Sequence, residues 1–144
     1  MALEPSTQTA IRLDSFHVSK LDFNIDSSLW QTQELNETQF KINFQHLIKD
    51  SDKGYFGVLF KIYVQNENKT IDIYCEFIGH FEAKGMEIDM EILDSNMFFK
   101  HSAPAILFPY IRAFISNFTL NAGFKPLILP SINFYDTKVI EEDK

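Results

Sequence analysis

Four histidines, one cysteine and a run of carboxylates are the residues of this chain that could do chemistry, and their spacing gathers none of them. His17, His46, His80 and His101 lie far apart, with no two- or four-residue pairing. A metal site needs three or four ligands converging on one ion. Each histidine therefore reads as a surface or half-buried strand residue. Glu87, Asp89, Glu91 and Asp94 form an acidic run of the kind that solvates a face or caps a helix. Cys75 would need a neighbouring base to become a nucleophile, and at an inward strand position it reads as a small hydrophobe. The five glycines form no phosphate-cradling loop, and there is no Gly-x-Ser-x-Gly elbow. The pattern points away from an enzyme and calls for no metal or cofactor.

With 144 residues the chain suits one domain around one core. A net charge of −7 argues against nucleic acid and against an anionic membrane surface. It suits partners that are basic or merely unfolded. No apolar run approaches the roughly 20 residues needed to cross a bilayer, so no membrane insertion is expected. The N-terminus lacks a basic region followed by an apolar core, and a single cysteine is compatible with a reducing cytosol. A cytoplasmic location is expected. Fifteen phenylalanines are many for this length. They predict an aromatic core, with some aromatic surface left for a partner or an apolar ligand.

Residues 1–10 are polar and read as a disordered N-terminus. From Ile11 to Ile25 the apolar residues alternate with one change of phase between odd and even positions, which predicts a bulge or a strand buried on both faces. Asp26 to Thr38 is a polar connection that carries Leu29, Trp30 and Leu35. Three cleaner strands follow, around Phe40–Ile48, Phe56–Val64 and Ile71–Phe81, joined by short turns. They should form an antiparallel meander with one face packed on a helix. A short helix is expected around Glu91 to Phe99. The main helix should begin near Ser102 or Ala103, with Pro104 in its first turn, and run to Ala122 before Gly123. Leu107, Tyr110, Ile111, Phe114, Phe118 and Ala122 recur at helical spacing, so Phe114 and Phe118 should be deeply buried.

Beyond Gly123, Pro126 and Pro130 leave an apolar ribbon that is neither helix nor central strand. The order Pro104-x-Ile-Leu-Phe-Pro-Tyr-x-Arg112, then Gly123-x-x-Pro126-x-x-Leu129, ending Pro130-x-x-Asn133-Phe134, resembles the C-terminal signature of the SecB family of bacterial export chaperones. The likeness extends to Trp30-Gln31 in the connection and to Tyr74-Cys75-Glu76 on the last strand, and covers about Leu13 to Phe134.

The resemblance implies an α+β fold: a four-stranded antiparallel, meander-like sheet with a long helix of the C-terminal half on one face. It places one SecB-like domain at 11–134 and a charged tail at 135–144. It implies an ATP-independent holdase that binds unfolded or precursor polypeptides, works as a homotetramer built as a dimer of dimers, and delivers clients to the SecA motor. Client contacts are then expected at Leu29, Trp30, Leu35, Phe98 and Phe99, motor docking at Tyr74 and Glu76, and a subunit interface at Ile106, Ala113 and Ile115. Three positions depart from the family's pattern. The family's second helix after Asn-Phe is missing or reduced, acidic docking positions of the first strand fall on Lys20 and Asn24, and His101-Ser102 lacks the family's frequent Cys. The first two weaken the export role, and the acidity lost at Lys20 and Asn24 favours an alternative: a SecB-like chaperone or interaction module serving a partner outside export, such as a toxin–antitoxin pair.

Overall fold

The structure is a computed structural model that describes residues 10–31, 38–67 and 70–135. Strands β1 (Ala10–Ile25), β2 (Gln39–Asp50), β3 (Tyr55–Gln65) and β4 (Ile71–Lys84) form one antiparallel sheet in the order β1-β4-β3-β2. β2, β3 and β4 make the expected meander. β1 lies on the free edge of β4, which gives a Greek-key order. The connection leaving β1 starts with a 3-10 turn at Ser27–Gln31, held by the Asp26 carboxylate, which accepts from both the amide and the hydroxyl of Ser28.

The phase change in β1 is two bulges. The register against β4 shifts between Leu13 and Ser15 and again between Val18 and Lys20. Each extra residue returns the following apolar set to the helix side. Leu13, then Phe16 and Val18, then Leu21, Phe23 and Ile25 thus all face the core despite their mixed parity. On β4 every odd position from Ile71 to Ala83 is buried. Phe56 and Phe81 stack across β3 and β4 with centroids 5.3 Å apart.

Two helices follow, α1 (Met90–Ser95) and α2 (Met97–Asn121). Asp89 caps α1 by accepting from the Ile92 amide at 2.8 Å. Asn96 ends α1 and caps α2, accepting from the Phe98 amide at 2.9 Å. The main helix thus begins about six residues before the Ser102–Ala103 start expected from Pro104. Both Pro104 and Pro109 lie inside it. Their missing N–H groups release the carbonyls of Lys100 and Ala105, two half-buried positions.

The buried stripe of α2 is Ala103, Leu107, Ile111, Ile115 and Thr119, a row at i, i+4. It is rotated from the expected face: Tyr110 is 50% exposed, Ala122 is exposed, and Phe114 and Phe118 are half-buried. Phe114 meets Phe77 edge-on at 5.4 Å and Phe118 meets Phe23 at 4.7 Å, so both flank the stripe rather than centre it.

Candidate client-binding and docking surfaces

The ribbon after α2 is strapped back along the helix. Gly123 takes φ +100°, which lets the chain turn out of the helix. Leu127 and Leu129 point inward while Ile128 is 61% exposed. The buried Thr119 hydroxyl donates to the Ile115 carbonyl at 3.0 Å and accepts from the Leu127 amide at 2.9 Å. Arg112 Nε donates to the Leu129 carbonyl at 3.0 Å. Phe134 inserts among Phe44, Phe60 and Phe108, with centroids 5.3–6.0 Å away. The hydroxyls of Ser102 and Tyr135 lie 2.8 Å apart. The mixed Arg, Gly, Pro and Phe signature is therefore a strap: the glycine turns it, the arginine and threonine hold its backbone, and Phe134 anchors its end.

The structure separates the residues expected to meet a client. Phe98 is 39% exposed at the start of α2, whereas Phe99 is 1% exposed, its ring edge against Phe56. Phe99 is a core residue. At successive helical positions one ring points out and the next in. Leu29 is half-buried and packs on the core. Its turn leaves the sheet where the Asp26 amide donates to the Thr70 carbonyl, beside Ile25 and Ile71. Phe98 and Phe99 lie at the other end, beyond Phe56 and Phe81. Leu35 and the Trp30 side chain fall outside the described residues.

Of the three residues expected at a subunit interface, Ile115 is 2% exposed and belongs to the protein's own core. Ile106 and Ala113 remain outside, and with Tyr110 and Leu120 they form a stripe at spacings of four, three and seven, turned away from the buried row.

Tyr74 and Glu76 do come together, on the face of the sheet away from α2. The Tyr74 hydroxyl donates to Glu76 Oε2. Burial, then this bond and the carboxylate's charge, pushes the phenol well above its usual range. In register, Glu76 lies between Lys20 on β1 and Lys61 on β3. Lys20 Nζ stands 5.6 Å from the Tyr74 ring centre. Asn24 pairs with Asp72.

Apart from His17 with His80 and His46 with Asp94, the candidate chemical groups occupy separate places. Burial pushes the Cys75 thiol up to about 12, far from a thiolate nucleophile. His46 is buried, with Nε2 donating to the Phe99 carbonyl at 3.1 Å and Nδ1 3.8 Å from Asp94. His101 is buried against the Tyr135 ring, and neither of its ring nitrogens has a hydrogen-bond partner among the described residues. His17 and His80 stack on the outer face, a pair that the spacing of β1 and β4 in sequence does not reveal. Among the described residues no group of three or more His, Cys, Asp or Glu could hold a metal ion. No described helix is long and apolar enough to cross a membrane.

The family model described as preprotein translocase subunit SecB matches residues 4–138. The chain belongs to the SecB family. A protein-export protein SecB of a Ruegeria species is 26% identical over 121 residues, covering 78% of this chain and 71% of that protein. An uncharacterised protein of Methanocaldococcus jannaschii is 28% identical, covering 91% of this chain and 84% of its own length. Among solved structures, a SecB-like chaperone of Mycobacterium tuberculosis, in complex with a ChAD peptide from the HigA1 antitoxin, shares the fold with a TM-score of 0.64 at 16% identity, over 89% of this chain and 92% of that one. The expected α+β architecture and the SecB resemblance both hold, and membership of this family makes a chaperone role the reading of the chain.

Proposed function

We propose that this SecB-family protein is an ATP-independent chaperone that holds unfolded polypeptides. Clients contact Phe98 at the start of α2 and Leu29, Trp30 and Leu35 of the connection that follows β1. Subunits of a homotetramer, a dimer of dimers, meet across Ile106 and Ala113. The observation that carries the reading is the apolar stripe of α2 left uncovered by its own sheet, with Ile106 36%, Tyr110 50% and Leu120 53% exposed. A large exposed apolar stripe marks a surface that something covers. Two separated contact regions suit an extended client, because many weak contacts on one assembly give avidity without a fixed sequence. The test is suppression of aggregation of a chemically unfolded protein without ATP, alongside the mass of the assembly by light scattering. Phe98→Ala and Trp30→Ala should each weaken suppression while the fold is retained. Unchanged suppression in both would remove these contacts from the site, and a monomer mass at micromolar concentration would remove the tetramer.

Two destinations for the client remain distinct. Delivery to the SecA motor would use Tyr74 and Glu76. The alternative is a partner outside export, such as a toxin–antitoxin pair, and the surroundings of Glu76 favour it. Its carboxylate is engaged by Tyr74 and flanked in register by two lysines, so it offers little to a basic motor surface. The fold shared with a chaperone seen holding an antitoxin peptide is compatible with that alternative. Titration of the cognate SecA at low salt separates the two: binding that Lys20→Asp tightens and Glu76→Lys abolishes restores the export reading, and no binding at micromolar concentrations leaves the alternative.

A further inference from the structure

On the face of the sheet away from α2, three side chains make a hydrogen-bonded chain across all four strands. Two bulges and a glycine build it. In β2 the register against β3 shifts between Ile48 and Asp50, which leaves Lys49 without a Cα partner. A bulge re-aims the side chain it carries, and Lys49 reaches over β3 to His80 on β4. It passes Gly57, where a Cβ would stand 3.8 Å from Lys49 Cδ, so a side chain longer than alanine would block its path. In β1 the shift between Leu13 and Ser15 turns His17 to the outer face; without it His17 would share the core side with Leu13. His80 lies between the two, opposite Ser15 on one flank and Gly57 on the other.

The hydrogen bonds run one way. An ammonium only donates, so Lys49 Nζ donates to Nδ1 of His80. His80 then carries its proton on Nε2, which donates to Nδ1 of His17 at 3.0 Å, with the ring planes 20° apart. A protonated imidazole donates at both nitrogens. A proton on His80 therefore removes the acceptor that faces Lys49 and sets two cations against each other. The surroundings of half-buried His80 do little to offset this. It faces His17 and Asp14 from β1, Lys49 and Asp50 from β2, and Gly57 with Tyr55 and Leu59 from β3, while Glu82 and Ile78 flank it along β4. Asp14 and Glu82 are engaged by Arg12, at 3.0 and 2.7 Å, and Asp50 accepts from the Lys53 amide. Burial, then Lys49 and His17, hold the His80 pKa below the ordinary 6.5 against the opposing pull of Asp14.

We propose that Lys49, His80 and His17 form a proton-sensitive clasp. With both imidazoles neutral it ties the edge strand β2 across β3 to β4 and β1, and a proton on His80 releases it. β2 is paired along its length only with β3, and its bulge interrupts that ladder at the end that leads into the turn at 51–54. The clasp holds this end, so its release loosens Leu47 to Asp50 first. The cluster lies across the sheet from α2, so the proposal is independent of client holding on the helix side.

The experiment is a histidine-resolved NMR titration of the full chain between pH 7 and pH 5, with amide exchange measured at both ends of the range. At pH 7 His80 should be the Nε2–H tautomer. Lys49→Met keeps the apolar stem and removes the charge, and should raise the His80 pKa by about half a unit, the size of one partly exposed charge pair. Lys125→Met, at an exposed position of the ribbon, should leave it in place. Exchange at Leu47 to Asp50, corrected for its intrinsic pH dependence, should quicken in the parent from pH 7 to pH 5 and be quick at both in Lys49→Met. His80→Asn puts a side-chain oxygen that does not titrate where Nδ1 stood, and exchange there should stay slow at both. His46 on the same strand is common to all three proteins, so the clasp is read as the difference among them. The Nδ1–H tautomer of His80 at pH 7, or a His80 pKa that Lys49→Met leaves unmoved, overturns the proposal. So does exchange at Leu47 to Asp50 that is the same in the parent at both pH values, or the same in Lys49→Met as in the parent.

Discussion

Leu107 of the main helix sits directly on Gly79 of β4: a Cβ at Gly79 would stand 2.9 Å from Leu107 Cδ2. Both residues are buried, Leu107 at 0% exposure. Glycine in a strand interior weakens the strand, and here it opens a hole for the helix. Gly79→Ala should therefore destabilise by about 1–3 kcal/mol through overpacking. Leu107→Ala should cost about 2–5 kcal/mol through the cavity it leaves. The two should not add, because the alanine methyl enters the space the leucine vacates. Urea unfolding of the two single variants and the double variant measures the coupling, and additive losses would mean that the two residues do not share this space.

Phe98 and Phe99 should behave as opposites. Phe99→Ala should lower stability by about 3–5 kcal/mol, the usual cost of emptying a buried aromatic site. Phe98→Ala, at an exposed position, should change stability by about 0.5 kcal/mol or less. Denaturant midpoints decide this. A large loss from Phe98→Ala would mean that its ring is covered in the folded protein.

Alternation made the strands readable because each of β2, β3 and β4 buries one face, so parity alone assigns the core. Mixed parity in β1 signalled a bulge, and only pairing with β4 resolves it into two. The helix was harder to read. Met97, Phe98, Ile106, Tyr110 and Leu120 are apolar yet exposed, so apolar residues lie nearly all round α2 and spacing alone does not orient it. Pro104 resembled a first-turn proline, while Asn96, the residue that caps the helix, lay within a stretch with no clear period. The strap could be seen as a pattern before its hydrogen bonds were known. The stack of His17 on His80 could not be seen, since the two rings meet only through the pairing of β1 with β4.

His46 should make stability fall in mild acid. Burial, the largest influence, holds its pKa below the ordinary 6.5, outweighing the Phe99 carbonyl and Asp94, which raise it. The folded protein therefore resists a proton that the unfolded chain accepts. Above about pH 6.5 both states are neutral at this residue and it adds no pH dependence. As pH falls below that value the unfolded state gains the proton first, and stability drops until the folded pKa is passed. His46→Gln keeps a donor for the Phe99 carbonyl and removes the titration. Its unfolding midpoint should vary less between pH 7 and pH 5 than that of the parent. An identical slope in the two proteins would place the pH dependence elsewhere, for example at His80, whose pKa is lowered first by burial and then by Lys49 and His17.

Thr119 should be the most sensitive polar residue of the strap. It is 1% exposed, and its hydroxyl is the acceptor for the Leu127 amide. Thr119→Val keeps the shape but leaves that amide without its partner in a buried setting. The expected cost is about 1–3 kcal/mol, the desolvation penalty of an unsatisfied donor. Thr119→Ser keeps the hydroxyl and loses only a methyl group, so it should cost about 1 kcal/mol. The hydrogen bond also fixes where the ribbon leaves the helix, eight residues along the chain. Amide exchange at Leu127 and Leu129 should therefore speed up in Thr119→Val before global unfolding is affected, as expected for local opening. Uniform acceleration across the sheet would instead mean that the strap opens only when the whole domain unfolds.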